Sequence, residues 1–260
     1  MDELRVTGLV VREVDVGEYD KILTLVTAEQ GKVSVTAKGA RSLKSKHIPT
    51  TGIFAYGTYI LKQYKTHWYL ADSELIESFY ALRTDVAKLA LAAYIADVCA
   101  EMCVEEQSDE QILRLTLNSL YAAANDVAPL DMIKAAFELK AMALGGFCPD
   151  LVACSRCGKH EASDMYLDIM NGSLVCPDCR GAYERKKAAE DEDAASDVYA
   201  HVTPPVLDAM RHIAYADQKK MLSFTLDEDS MIGLSQVCEK YLLNQMEHDY
   251  YSLTFYKSVK

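Results

Sequence analysis

The sequence predicts a multidomain α+β protein, with an N-terminal five-stranded β-barrel, an α-helical bundle domain and an inserted four-cysteine element. Three observations carry that prediction. Apolar residues alternate at period two in the first 78 residues, they recur at helical spacing on both sides of residue 147, and two C-x2-C pairs stand 18 residues apart. At 260 residues the chain exceeds the roughly 100 to 200 of one domain. Half its residues are hydrophobic and a quarter charged, a globular composition that excludes a wholly disordered or collagen-like chain. No apolar run reaches the roughly 18 residues of a membrane span, and MDELRVTG at the N-terminus lacks the apolar core of a secretory signal. A cytoplasmic protein with no membrane partner is expected.

Residues 1–78 read as the barrel. Leu4 to Val14, Ile22 to Thr27, Val33 to Lys38, Ile53 to Tyr64 and His67 to Leu75 are five strand candidates, with a turn at Gln30-Gly31. Five strands in so short a segment suit a closed OB-fold, which binds single strands by stacking bases on aromatics in a basic groove. Tyr56, Tyr59, Tyr64, Trp68 and Tyr69 are the aromatic candidates. Alternation sends about half of them inward, leaving two or three for stacking.

Residues 79–147 read as the first part of the helical domain. Apolar positions recur from Val86 to Met102, from Ile112 to Tyr121 and from Met132 to Lys140, with Pro129 suiting a first turn and Gly145-Gly146 an end. The four-cysteine element occupies 148–183. Residues 184–260 form a linker and the second part of the helical domain. Glu184–Asp197 carries charge runs without a large apolar residue; Thr203 and Pro204 then open a helix, and another runs from Met231 to Met246. Both are expected to rejoin the earlier helices.

Cys154-Ser-Arg-Cys157 and Cys176-Pro-Asp-Cys179 can each turn two thiolates toward one point, which gives the four soft ligands of one structural zinc ion in a ribbon-like element. With all four positions filled no vacancy remains for water or substrate. Disulfides and a redox C-x-x-C are the alternatives, and Cys148 and His160 lie near enough to substitute as ligands. Cys99, Cys103 and Cys238 sit in apolar helical patterns and read as core thiols.

The net charge of −12 argues against a polyanionic partner, but its distribution does not. From Gln30 to Ala71 there is no Asp or Glu, while Lys32, Lys38, Arg41, Lys44, Lys46, Lys62 and Lys65 supply seven cations. A basic face on an acidic body makes a local field that attracts nucleic acid. Lys38-Gly-Ala-Arg41-Ser-Leu-Lys44-Ser-Lys46 is a basic loop suited to following phosphates. Lys21 and Arg12 add cations from the preceding strands. The six histidines form no H-E-x-x-H pair, and no G-x-G-x-x-G, Walker or G-x-S-x-G motif occurs, so no enzyme is expected.

Gly8-Leu-Val-Val-Arg12, Gly17-Glu-Tyr-Asp-Lys21, Thr27 to Gly31, Lys38-Gly-Ala-Arg41, Leu75-Ile-Glu-Ser-Phe79 and Gly146-Phe-Cys-Pro-Asp-Leu151, leading into Cys154, follow one another in order. Together they resemble the RecO family of bacterial recombination mediators, nearly end to end. The resemblance implies an N-terminal OB-fold, binding of single- and double-stranded DNA, and annealing of complementary strands. It also implies cooperation with RecR to load RecA onto DNA coated by single-stranded DNA-binding protein (SSB), with association with the nucleoid during repair. It puts Lys38 and Arg41 at the family's basic DNA-binding positions; Lys21, Lys44 and Lys46 are added here from charge. The C-terminal tail of SSB is expected on the helical domain, where Lys134 and Lys140 are possible contributors or simply a solvated face. The alternative is a zinc-ribbon RNA-binding or transcription-associated factor that reads nucleic acid with the knuckle itself. There, however, Arg156, Lys159 and Arg180 stand among Glu161, Asp164, Asp168 and Asp178.

Overall fold

A computed structural model describes residues 3–160, 163–182 and 199–260. The charged linker at Glu184–Asp197 lies outside the described residues. Five strands, β1 (Glu3–Val16), β2 (Asp20–Thr27), β3 (Gly31–Ala37), β4 (Tyr56–Tyr64) and β5 (His67–Glu77), close an OB-fold barrel in the order β1-β2-β3-β5-β4. Closure depends on β1 serving two neighbours. Its first half pairs with β4 and its second half with β2, and a bulge between Val10 and Arg12 bends the strand where the partner changes. A parallel contact, Val35 and Thr36 against Trp68 and Tyr69, joins β3 to β5. Alternation then aims Val6, Val10, Leu23, Leu25, Val35, Tyr59 and Leu61 into one core, while Ser34 and Lys38 face out.

The fourth strand starts later than its apolar run. Phe54 adopts φ 65° and is fully buried, with its N–H donating to the Val10 carbonyl, so residues 53–55 form a turn into the barrel.

The contacts divide the chain into two compact units, Met1–Val127 with Tyr250–Lys260, and Ala128–Asp249. In the first, the barrel is joined by α1 (Val86–Met102), α2 (Glu110–Ala124) and α7 (Tyr251–Val259). Asp85 and Asp109 cap α1 and α2 by accepting N–H bonds from the first turns. Gly31, at φ 60°, lets the β2–β3 turn lie against the α1–α2 connection, because a Cβ there would stand 2.2 Å from the Gln107 carbonyl oxygen. The sequence reading did not separate α7, whose nine residues bury only Leu253 and Tyr256.

The second unit holds α3 (Leu130–Leu144), a helix that includes residues 177–182 (α4), α5 (Pro204–Tyr215) and α6 (Glu228–Met246). A four-stranded sheet belongs to it, with β6 (Asp150–Cys154), β7 (Met165–Asp168), β8 (Ser173–Val175) and β9 (Tyr199–Val202) in the order β6-β8-β7-β9. Pro129 is the residue before α3 rather than its first turn, and Thr203 precedes α5 without a side-chain capping bond. Gly172, at φ 60°, turns β7 into β8 beneath the Tyr241 hydroxyl, which donates to the Phe147 carbonyl. No described helix is long and apolar enough to cross a membrane.

Candidate nucleic-acid interface and metal centre

The basic loop leaves β3 at Lys38 and is fastened along its length. Its first part is held to the β1–β2 hairpin: the Gly39 N–H donates to Asp20 Oδ1 at 2.7 Å, and the Arg41 N–H to the Tyr19 carbonyl at 2.9 Å. Its second part is held to β5, where His47 Nδ1 lies 2.8 Å from Ser73 Oγ and Thr50 Oγ1 lies 2.7 Å from the same hydroxyl. Burial and the neighbouring Lys46 charge lower the His47 pKa, with Asp72 opposing them. The backbone of the loop is thus fixed while its tip, with Leu43 96% exposed, reaches into solvent.

The six candidate cations divide by their partners. Lys38, Lys44 and Arg12 are exposed and form no ion pair among the described residues. Arg41 Nε stands 3.3 Å from Asp15 and Arg41 Nη1 donates to the Gly17 carbonyl. Lys46 donates to Asp72 at 2.8 Å, and that hydrogen bond, with a backbone N–H from Ser73, holds the Asp72 carboxyl below its ordinary range. Lys21 is half-buried against Glu13 and the Thr51 carbonyl. The stretch without carboxylates therefore meets carboxylates contributed by β1 and β5. Lys32, counted with the basic face, donates to the Ala100 carbonyl near the end of α1.

Tyr59 is buried, its hydroxyl donating to Thr50 and Ala55 carbonyls. Trp68 packs against the barrel core, Tyr56 and Tyr69 are half-buried, and Tyr64 is exposed. The Lys38 ammonium lies 5.0 Å from the centre of the Tyr69 ring, so a cation and an aromatic share one spot at the root of the loop. Beside them, a groove of about 550 Å³ is lined by Lys32, Thr36, Trp68 and Tyr69 together with Glu105 and Glu106. Tyr19, 58% exposed at the β1–β2 tip, is an aromatic that period-two reading passes over because it lies in a turn.

In the second unit the two knuckles converge. The sulfurs of Cys154, Cys157, Cys176 and Cys179 all lie within 4.8 Å of one another, and Cys157 and Cys176 are 3.7 Å apart. That spacing matches the roughly 3.8 Å edge of a tetrahedron with 2.3 Å metal–sulfur bonds. These four thiols can hold a metal ion, whereas Cys148 and His160 lie outside the cluster. Burial raises the Cys154 pKa, but N–H groups of Cys176, Arg156 and Cys157 and the Cys157 side chain outweigh it and bring the thiol to about 6. Gly158 (φ 73°) supplies the tight turn after the first knuckle. Cys99, Cys103 and Cys238 are buried core thiols.

Lys134 and Lys140 lie in the interior. Lys134 Nζ bridges Glu138 and Glu239, each at 2.9 Å, and is 1% exposed. Burial lowers its pKa, but the two carboxylates outweigh that and raise it. Lys140 Nζ donates to the Ala214 and Ala216 carbonyls at the end of α5. Neither presents its charge to a partner, and neither belongs to a solvated face, because both tie the helices of this unit to one another.

Comparison with known proteins gives a consistent result. The profile of the family described as Recombination protein O N terminal matches residues 1–79, and that of Recombination protein O C terminal matches residues 83–254. The DNA repair protein RecO of Acetivibrio thermocellus is 29% identical over 260 residues, covering 100% of this chain and 98% of that one. The DNA repair protein RecO of Thermoanaerobacter sp. is 33% identical over 178 residues, covering 68% of this chain and 71% of that one. That of Alkaliphilus metalliredigens is 31% identical over 178 residues, covering 68% and 72%.

Proposed function

The chain belongs to the Recombination protein O family, and from that premise we propose that it is a non-enzymatic recombination mediator in DNA repair. It binds single- and double-stranded DNA, anneals complementary strands, and works with RecR to load RecA onto strands coated by SSB, whose C-terminal tail docks on helices that follow the barrel in the chain. The observation that carries the reading is a fastened basic loop beside aromatic side chains on an OB-fold barrel, with Lys38 over Tyr69. Lys38, Lys44 and Arg12 meet phosphates first. Arg41, Lys46 and Lys21 join as their carboxylates are displaced, and bases stack near Tyr69 and Tyr64. Neutralised phosphates let two strands lie side by side, so pairing is promoted by binding energy alone. The metal is zinc, which suits four thiolates, and its role is to hold the two knuckles together.

The test is annealing of complementary oligonucleotides at low salt without nucleotide. The purified chain should accelerate it, and an unchanged rate together with no single-strand binding would refute the reading. The ion pairs give a second expected result. Asp72→Asn releases Lys46 from an exposed ion pair, so single-strand binding should tighten by no more than about fivefold. The log-log salt slope should steepen by up to about 0.7, measured by fluorescence anisotropy.

A further inference from the structure

The groove of about 550 Å³ beside the short parallel contact of β3 with β5 combines aromatic surface with acid. Trp68 and Tyr69 line it from β5, Ser34 and Thr36 from β3, and Glu105 and Glu106 from the connection between α1 and α2. That connection is fastened to the β2–β3 turn. The Lys32 N–H donates to the Val104 carbonyl at 3.1 Å, Ser108 Oγ donates to the Ala28 carbonyl, and Gly31 leaves no room for a Cβ beside the Val104 and Gln107 carbonyls. Glu105 and Glu106 are exposed and form no ion pair among the described residues. Lys32 is the one Lys or Arg among the described lining residues, and its ammonium is committed to the Ala100 carbonyl at 3.0 Å. The negative charge extends beyond the groove: between Lys88 and Arg114 the chain carries Asp97, Glu101, Glu105, Glu106, Asp109 and Glu110 and no Lys or Arg.

We infer that this groove takes an arginine side chain from a basic segment of a partner protein. A guanidinium is planar, stacks on aromatic rings and donates in pairs to carboxylates, so Trp68 and Tyr69 together with Glu105 and Glu106 supply both surfaces it needs. The Tyr69 ring already carries one cation, the Lys38 ammonium at 5.0 Å. A phosphate would meet two carboxylates here and, among the described lining residues, no Lys or Arg whose charge is uncommitted. Charge therefore favours a cationic protein segment over nucleic acid in the groove, although the basic loop lies beside it. The volume falls within the roughly 300–1,000 Å³ of binding clefts. A partner held here would sit next to a strand bound at the loop without using the loop cations.

Trp68 is the chain's single tryptophan, so its fluorescence reports on the groove directly. The full-length chain is titrated at low salt with a capped hexapeptide of alternating Gly and Arg and, in parallel, with its Lys and Gln counterparts. The arginine peptide should shift Trp68 emission saturably, the lysine peptide should bind several-fold more weakly, and the glutamine peptide should leave emission unchanged. Glu105→Gln with Glu106→Gln alters exposed side chains only and should weaken the arginine peptide by about fivefold or more, since one exposed pair is worth up to about that factor. Glu18→Gln with Glu74→Gln removes the same charge at exposed positions outside the groove and should bind as the parent does. No emission change with the arginine peptide, equal binding of the lysine peptide, or unchanged affinity in the Glu105 and Glu106 variant would overturn the inference. An equal loss in the Glu18 and Glu74 variant would also overturn it, by showing attraction to net charge alone. With Lys38, Arg41, Lys44 and Lys46 all changed to Ala, the peptide should bind at least as tightly as to the parent. An oligodeoxynucleotide that displaces it from that variant would assign the groove to DNA instead.

Discussion

Chelating the metal from the four-cysteine centre is expected to raise the number of thiols open to alkylation from one to five. Of the eight cysteines, Cys148 is exposed and outside the cluster, while Cys99, Cys103 and Cys238 are core residues. The remaining four would be protected if they coordinate a metal, although Cys157 is itself exposed. The strands around them are three to five residues long, so a metal held by the four thiols would carry much of the local fold. Structural zinc contributes roughly 10–16 kcal/mol in comparable small elements. Removing it should melt β6 to β8 and open Cys154 and Cys176, with the three core thiols reacting only on global unfolding. Mass spectrometry after alkylation reads the three stages. Rapid labelling of Cys157 in the untreated protein would contradict the coordination.

Lys134→Met should cost about 3–5 kcal/mol, read as a lowered urea midpoint for the second unit. The ammonium neutralises Glu138, which is fully buried, and Glu239, which is 18% exposed. An apolar side chain of similar length keeps the packing and deprives both carboxylates of their shared cation. Their folded-state pKa values then rise above the unfolded value of about 4.3, so the folded variant binds more protons than the unfolded chain. The deficit relative to wild type should therefore be largest at neutral pH and shrink as pH falls toward about 4. Combining Lys134→Met with Glu138→Gln should recover part of the loss. A deficit independent of pH would assign the cost to packing instead.

The barrel was legible because each of its strands carries its own alternation, and the metal centre because its ligands come as two local pairs. What sequence reading missed depends on residues far apart in the chain. Asp15 and Asp72 cannot be matched to Arg41 and Lys46 until β1 and β5 flank the loop. The buried bridge of Lys134 to Glu239 joins α3 to α6, and helical periodicity alone left Lys134 on a solvated face. Phe54 was misread as strand because a positive φ leaves no mark on an apolar run.

The central claim is that the loop from Lys38 to Lys46 is where the barrel meets nucleic acid. Its most direct test is fluorescence anisotropy of a labelled single strand across a salt series, comparing the parent with the chain in which Lys38, Arg41, Lys44 and Lys46 are Ala. With four to six phosphates contacted, the parent's log-log slope should be roughly −3 to −4. The exposed Lys38 and Lys44 should each account for about 0.7 of it, and the paired Arg41 and Lys46 for less, since each must first give up a carboxylate. A collapse of affinity together with that loss of slope is the predicted result. Unchanged affinity and slope would contradict it and move any bound DNA away from the loop.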